Sequence, residues 1–143
     1  MKTKGFTLVE LLVVIAILAI LATVSVVGYT SYIAGAEKTA AETEAASIAD
    51  AIDVALVMNK TIRLEKTAAV EADAENNVAA ADATYIYITR NDNGIGYTVS
   101  ETPATGVTYA DVAEISTELT HRLSIVNNVL TYTSAKNVAV PVK

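Results

Sequence analysis

The chain has 143 residues, a net charge of −6 and a pI near 4.7. This length suits one domain, or a small domain with a long appendage, and the acidic balance argues against nucleic-acid binding through the bulk surface. The absence of cysteine excludes disulfides and thiolate metal sites, and one histidine leaves few metal or catalytic constellations, so we expect no enzyme, metal or cofactor.

A short basic leader and a long apolar segment occupy the N-terminus. Residues 1–5 contain two lysines, and residues 6–28 are long enough, at about 1.5 Å per residue, to cross a hydrocarbon core about 30 Å thick. Backbone groups in lipid must be satisfied internally, which predicts a helix, and the leader lysines predict a cytoplasmic N-terminus. Glu10 lies near the start of this span, where ionisable side chains are rare and usually functional.

The helix is predicted to continue beyond the span. Tyr29 and Tyr32 lie where an aromatic belt would meet the membrane interface. Residues 29–58 then become amphipathic, with apolar residues at steps of about three and four at Ala41, Ala45, Ile48, Ile52, Ala55 and Leu56. We predict one helix from Phe6 to about Met58, whose distal half packs on the rest of the chain.

Residues 59–143 are predicted to hold a connecting loop and an antiparallel sheet. Residues 59–83 read as a surface connection, with a possible short helix over 66–74 and no strand. Residues 84–89 are rich in β-branched and aromatic types and form a predicted hairpin with residues 95–100.

The remaining elements are a short helix, a second hairpin and an edge strand. Thr108 and Asp111 resemble a capping box that starts the helix. Residues 122–126 and 129–133 flank a predicted Asn-Asn turn, and Pro141 restricts the last strand to an edge. The predicted fold class is α+β, a long N-terminal helix whose distal half packs on a small antiparallel sheet.

The stretch Lys4-Gly5-Phe6-Thr7-Leu8-Val9-Glu10-Leu11 closely resembles the leader junction of type IV prepilins. The apolar run that follows, to Ala22, is similar to their N-terminal helix. The resemblance implies cleavage between Gly5 and Phe6 by a prepilin peptidase, N-methylation of Phe6, and a precursor held by one span in the cytoplasmic membrane. It also implies an assembly ATPase, a platform protein and a homopolymeric surface fibre of the kind used for adhesion and twitching motility.

Glu10 and Phe6 are the candidate assembly residues. Cleavage after Gly5 would create an ammonium at Phe6, and a charge buried in an apolar bundle is tolerable only when paired. We expect Glu10 to accept the Phe6 ammonium of an adjacent subunit. The alternative is that Glu10 pairs only with its own N-terminus, where it would also complement the helix dipole.

Three alanines in the span, Ala16, Ala19 and Ala22, repeat at three-residue spacing. Small residues allow helices to approach closely in apolar surroundings, so these are candidates for packing in a filament core. Good helix propensity without a specific contact explains them equally well.

Two other functions fit parts of the sequence. A pseudopilin or competence pilin shares the same junction, but residues 134–143 lack the acids of the calcium site that major pseudopilins often carry. A secreted protein with an ordinary signal peptide is the remote alternative, since Ala34-Gly35-Ala36 looks like a small-residue cleavage site. The apolar stretch is too long for such a peptide, and Glu10 interrupts its start.

Overall fold

One long helix dominates the computed structural model, which describes residues 5–143. The predicted leader, apart from Gly5, lies outside the described residues. Helix α1 spans Leu8–Met58, which confirms the predicted continuous helix with a start two residues later than Phe6. The chain divides into two compact units, Met1–Glu37 and Lys38–Lys143, called here the N-terminal and C-terminal units.

The C-terminal unit contains two small sheets. One has the strand order β3-β2-β1-β4 and the other β5-β6-β7. All pairs are antiparallel except β1 with β4, which is parallel. The α+β class is therefore confirmed. The elements after α1 are β1 Thr61–Thr67, β2 Thr84–Arg90, β3 Tyr97–Ser100, β4 Ala110–Asp111, α2 Thr117–Thr120, β5 Leu123–Val126, β6 Val129–Thr133 and β7 Ala139–Pro141.

Strand β1 corrects the prediction that residues 59–83 contain no strand. Ile62 and Leu64 are fully buried between half-buried polar neighbours, which is the period-two pattern of a strand with one covered face. They pair across the ladder with Ile88 and Ile86, so four isoleucine and leucine side chains share one face. Without knowledge of that partner strand, the short alternation was hidden by the Ala- and Glu-rich sequence that follows it.

Of the two alternatives open for residues 66–74, the short helix is wrong and the surface connection is found. The residues after β1 form an exposed loop. Two isolated antiparallel β-bridges join its arms, one between Val70 and Ala81 and one between Asp73 and Val78. The Asp73 carboxylate accepts hydrogen bonds from the backbone N–H groups of Glu75 and Asn76, which fix a turn. These bonds and the Asn76 side chain lower the pKa of Asp73. Local turn chemistry therefore overrides the helix propensity of the alanines.

The capping box predicted at Thr108 and Asp111 does not start a helix. Ala110 and Asp111 form β4 beside β1, and the Val112 N–H donates to the Arg63 carbonyl at 3.2 Å. The short helix α2 begins later, at Thr117. The open edge of β1 offers backbone partners that the isolated segment lacks, and pairing there replaces the local cap.

Both predicted hairpins and the edge strand are confirmed. Asn127 and Asn128 have φ values of 51° and 62°. A two-residue hairpin turn needs positive φ at both positions for its backbone twist to match that of the flanking strands. Strand β7 lies at the edge of its sheet, with Pro141 opposite Thr131. Proline cannot donate to a ladder, and the edge position removes that need.

The core of the C-terminal unit lies between α1 and the inner faces of both sheets. The predicted apolar stripe is confirmed, with Ala55 half-buried and Ala49 added to the buried set. Tyr132 from β6 is 1% exposed, and its hydroxyl donates to Glu44 Oε2 of α1 at 2.6 Å. The fully buried members of this core include Ile48, Ile52, Ile62, Leu64, Ile86, Ile88, Leu123 and Leu130.

Candidate assembly site at the N-terminus

The start of α1 is closed by a reciprocal cap between Thr7 and Glu10. The Thr7 backbone N–H and its hydroxyl donate to Glu10 Oε2 at 2.9 and 2.8 Å. The Glu10 N–H donates in return to the Thr7 hydroxyl oxygen at 3.3 Å. This is the capping-box arrangement, in which two otherwise unpaired donors of the first turn are satisfied together.

Glu10 retains hydrogen-bonding capacity after closing this cap. The bonds from Thr7 end on Oε2, and within residues 5–143 no bond to Oε1 is present. A carboxylate has about four lone-pair sites, so Oε1 can accept from a further donor without breaking the cap. The arrangement therefore holds one carboxylate oxygen in place and leaves the other open at the first turn of α1.

Phe6 and Gly5 precede the helix and lie at the surface. Phe6 is 86% exposed, and both residues are outside regular secondary structure. Within the described residues, Glu10 is hydrogen-bonded to Thr7 and not to Phe6. The peptide bond between Gly5 and Phe6 therefore lies at the surface and outside the helix.

Thr7 is the site residue that the sequence reasoning missed. Its signal was the spacing Thr-x-x-Glu before an apolar run, which marks a helix N-terminus. From the sequence, Glu10 was explained only by the free-energy cost of a charge in an apolar span and by its favourable position near the positive end of the helix dipole. The cap supplies an additional local reason for a carboxylate at this position.

The N-terminal part of α1 presents apolar side chains around its whole circumference. Among residues 5–143, one helix, α1, is long and apolar enough to cross a membrane. The most apolar 18-residue stretch of α1 has no residue buried inside the molecule. Ala16, Ala19 and Ala22 all lie in this exposed stretch. Exposed apolar surface of this extent marks a membrane or protein interaction.

Hydroxyl groups in the apolar stretch are satisfied by the helix itself. Thr23 and Ser25 donate to the Ile20 and Leu21 carbonyls at 2.7 and 2.8 Å. Thr30 donates to the Val27 carbonyl in the same way. Because these polar groups need no water, the stretch can enter lipid or an apolar bundle without unpaired donors.

Other candidate sites gain no support as ligand sites. Among the described residues, no group of three or more His, Asp and Glu side chains could hold a metal ion. The segment Asn91–Gly96 connects the two strands of the first hairpin, with Gly94 and Gly96 at φ of 72° and 70°. Ala34-Gly35-Ala36, the signal-peptidase alternative, lies within α1.

The family model for the prokaryotic N-terminal methylation motif matches residues 1–26. This match covers Gly5, Phe6, Glu10 and the three alanines of the span, and it ends before the C-terminal unit. No curated protein and no solved structure matches the chain.

Proposed function

We propose that this chain, which carries the class III signal peptide of type IV pilins, is a structural subunit of a type IV pilus. A prepilin peptidase cuts it between Gly5 and Phe6, and Phe6 becomes N-methylated. The precursor rests in the cytoplasmic membrane through the apolar half of α1. An assembly ATPase and a platform protein then transfer it to a homopolymeric filament at the cell surface.

The methylation motif at residues 1–26, continued by an apolar helix without protein cover, carries this proposal. A plain membrane anchor explains the apolar surface and the cap between Thr7 and Glu10, but it gives no use to the second carboxylate oxygen of Glu10. A filament core explains both, because it replaces lipid by apolar helices and brings a second N-terminus near the carboxylate. Ala16, Ala19 and Ala22 then serve as small contact positions between neighbouring helices.

Glu10 is assigned two simultaneous roles in the filament. Its Oε2 keeps the cap with Thr7, and its Oε1 accepts the Phe6 ammonium of an adjacent subunit. An uncompensated charge in an apolar bundle costs several kcal/mol, whereas a close pair with satisfied hydrogen bonds is tolerated. This pairing fixes the axial stagger between subunits, since only one stagger places the two charges together.

Mass spectrometry of the extracellular protein tests the processing step. We expect a mature chain that starts at Phe6 and carries one additional methyl group on its N-terminal nitrogen. A chain that starts at Glu37 would instead establish cleavage by an ordinary signal peptidase and refute the proposal.

Paired substitutions separate the two roles of Glu10. We expect Glu10→Ala to abolish filaments while cleavage after Gly5 continues. Thr7→Val removes the hydroxyl of the cap, keeps the carboxylate and costs about 1 kcal/mol of helix-end stability, so it should still allow assembly. The readouts are filament number and length by electron microscopy and the cleaved fraction by immunoblot.

The result for Thr7→Val decides between the alternatives. If both variants lose filaments equally, Glu10 acts through its own helix start and the intersubunit pairing is wrong. Abundant filaments of normal length from Glu10→Ala would exclude both roles.

Surface filaments distinguish a pilus from a pseudopilus or a competence apparatus. We expect long fibres at native expression, composed mainly of this 15.0 kDa chain. The segment Ser134–Lys143 supports this choice, because it lacks acidic side chains for a calcium site and is held by its own turn. There the Ser134 hydroxyl accepts from the Lys136 and Val138 N–H groups. Fibres seen only on overexpression would favour the pseudopilin alternative.

A further inference from the structure

The C-terminal unit has a cavity that the filament proposal does not use. It measures about 300 Å³ and lies between the outer face of β1 and β2 and the segment that joins β4 to α2. This volume is at the small end of the range of about 300–1,000 Å³ for ligand pockets. Its walls combine charged, aromatic and apolar side chains, among them Arg63, Glu65, Tyr85, Asp111, Ile115 and Thr117.

A fixed ion pair forms one wall of this cavity. Arg63 Nε and Nη2 both donate to the Asp111 carboxylate, the second at 3.1 Å, so the guanidinium is held in a two-pronged contact. The hydrogen bond raises the pKa of Arg63 and lowers the pKa of Asp111, which keeps both groups charged. The Arg63 guanidinium carbon lies 4.5 Å from the centre of the Tyr85 ring. The remaining guanidinium N–H groups are oriented before any ligand arrives.

Glu65 supplies an acceptor beside this pair. It stands directly opposite Tyr85 in the β1–β2 ladder, so a carboxylate and an aromatic ring adjoin on the same face. The His121 Nε2 atom lies 3.8 Å from Glu65 Oε1. This separation exceeds a hydrogen bond, which leaves the carboxylate oxygens able to accept from a ligand.

We infer that this cavity binds a neutral, polyhydroxylated ring, in chemical terms one pyranose unit. An anionic ligand would meet two carboxylates with a single guanidinium that is already paired. A cationic group supplies only donors, so the remaining guanidinium N–H groups of Arg63 would find no acceptor, and a purely apolar ligand would leave Glu65 without a hydrogen bond. A sugar suits all of these groups, since its hydroxyls donate to Glu65 and accept from Arg63, while its C–H groups pack on Ile115 and on the part of the Tyr85 ring that Arg63 leaves uncovered.

Two observations limit the size and manner of binding. The cavity volume suits one ring and not an extended chain. The bonded guanidinium and the strand-held Glu65 are preorganised, so little ordering is required. A ligand of about a dozen heavy atoms with a few such contacts gives a Kd on the order of 1 mM. The site does not depend on assembly through α1, so it can be tested with unassembled protein.

Nuclear magnetic resonance of the isotope-labelled full chain tests the inference. The protein is kept in a phosphocholine detergent, because glucoside and maltoside detergents carry the proposed ligand. Glucose, galactose and mannose are titrated, each as the free sugar and as its methyl glycoside. We expect at least one to shift the amide signals of Glu65, Tyr85 and Thr117 in a saturable manner. Response to the methyl glycosides identifies a chain-terminal sugar, and response to free sugars alone identifies a free one.

A charged analogue and matched variants decide the outcome. Galacturonate, which adds a carboxylate to the same kind of ring, should bind at least about tenfold more weakly than galactose, because it meets the carboxylates of Glu65 and Asp111. Glu65→Gln should lower affinity by roughly tenfold, while Glu114→Gln, outside the cavity lining, should leave it unchanged. Tyr85→Leu should also weaken binding.

The inference is overturned if none of the three neutral sugars gives a saturable shift with the wild-type chain. It is equally overturned if galacturonate binds as tightly as galactose, or if Glu65→Gln and Glu114→Gln behave alike. Each result is read from the binding curve of folded protein, verified by an otherwise unchanged spectrum.

Discussion

Replacing Tyr132 by phenylalanine tests how strongly β6 is held to α1. The phenol is 1% exposed and donates to Glu44 Oε2 at 2.6 Å. A hydrogen bond to a charged group contributes about 1.5–3 kcal/mol. Glu44 is only half-buried, so water can replace the lost donor. We therefore expect Tyr132→Phe to lower the free energy of unfolding of the C-terminal unit by about 1.5 kcal/mol near pH 8.

The same contact predicts a distinct dependence on alkaline pH. Burial first, and the hydrogen bond to Glu44 second, raise the pKa of Tyr132 from 10.0 to about 12. A raised folded-state pKa gives stability that is complete below pH 10 and lost as the pH rises to about 12. At about 1.4 kcal/mol per pKa unit, the loss of stability is roughly 3 kcal/mol. The wild-type advantage over Tyr132→Phe should therefore vanish near pH ~11.

Urea unfolding of the full chain in detergent, followed by tyrosine circular dichroism, measures both effects. Tyr85→Phe is the matched control, because it removes a hydroxyl from a half-exposed ring and should change stability by less than about 0.5 kcal/mol. The reasoning is refuted if Tyr132→Phe differs from the wild type no more than this control does. It is also refuted if the difference between wild type and variant stays constant as the pH rises.

Three further changes test the core, a turn and an ion pair. Ile52→Ala removes a side chain that is 1% exposed and should lower the free energy of unfolding by about 2–5 kcal/mol. Val54→Ala, at a position 54% exposed, should lower it far less, and equal losses in urea unfolding would contradict the assigned helix faces. Asn128→Val forces a β-branched residue to a φ of 62° and should lower the free energy of unfolding by about 1–2 kcal/mol. Asn128→Gly should be tolerated, and a lower melting temperature for Asn128→Gly than for Asn128→Val would exclude the assigned turn. Asp111→Asn removes the charge that Arg63 holds, and because the pKa of Asp111 is lowered below 3.8, its stabilising effect is present above that pH and lost in acid. The melting temperatures of wild type and Asp111→Asn should therefore converge as the pH falls, and a gap that persists in acid would argue against the pair.

The N-terminal half of the protein could be predicted because its signals are local. An apolar run of this length must be helical in lipid, and the stripe that includes Ile48 and Ile52 follows helical periodicity by itself. The Asn127-Asn128 turn could also be predicted, because asparagine is one of the few residue types that accept the positive φ values of such a turn. The leader junction around Gly5 and Phe6 was recognised from adjacent residues alone.

Elements that depend on distant partners could not be predicted in this way. Strand β1 contains only two buried apolar residues, and its identity comes from the ladder with β2 some twenty residues later. Strand β4 is two residues long and exists because β1 offers an open edge. The cavity beside Arg63 and Asp111 joins residues 48 positions apart, which no local pattern reveals.

Sequence by itself determined the long helix, its apolar first half, its buried stripe and the N-terminal methylation motif, because each depends on neighbours within a few turns of chain. Tertiary structure alone decided the two-sheet arrangement, the buried contact of Tyr132 with Glu44 and the cavity on the outer face of β1. Those features depend on which distant backbone edges and side chains meet, and that choice is set by the packing of the whole C-terminal unit.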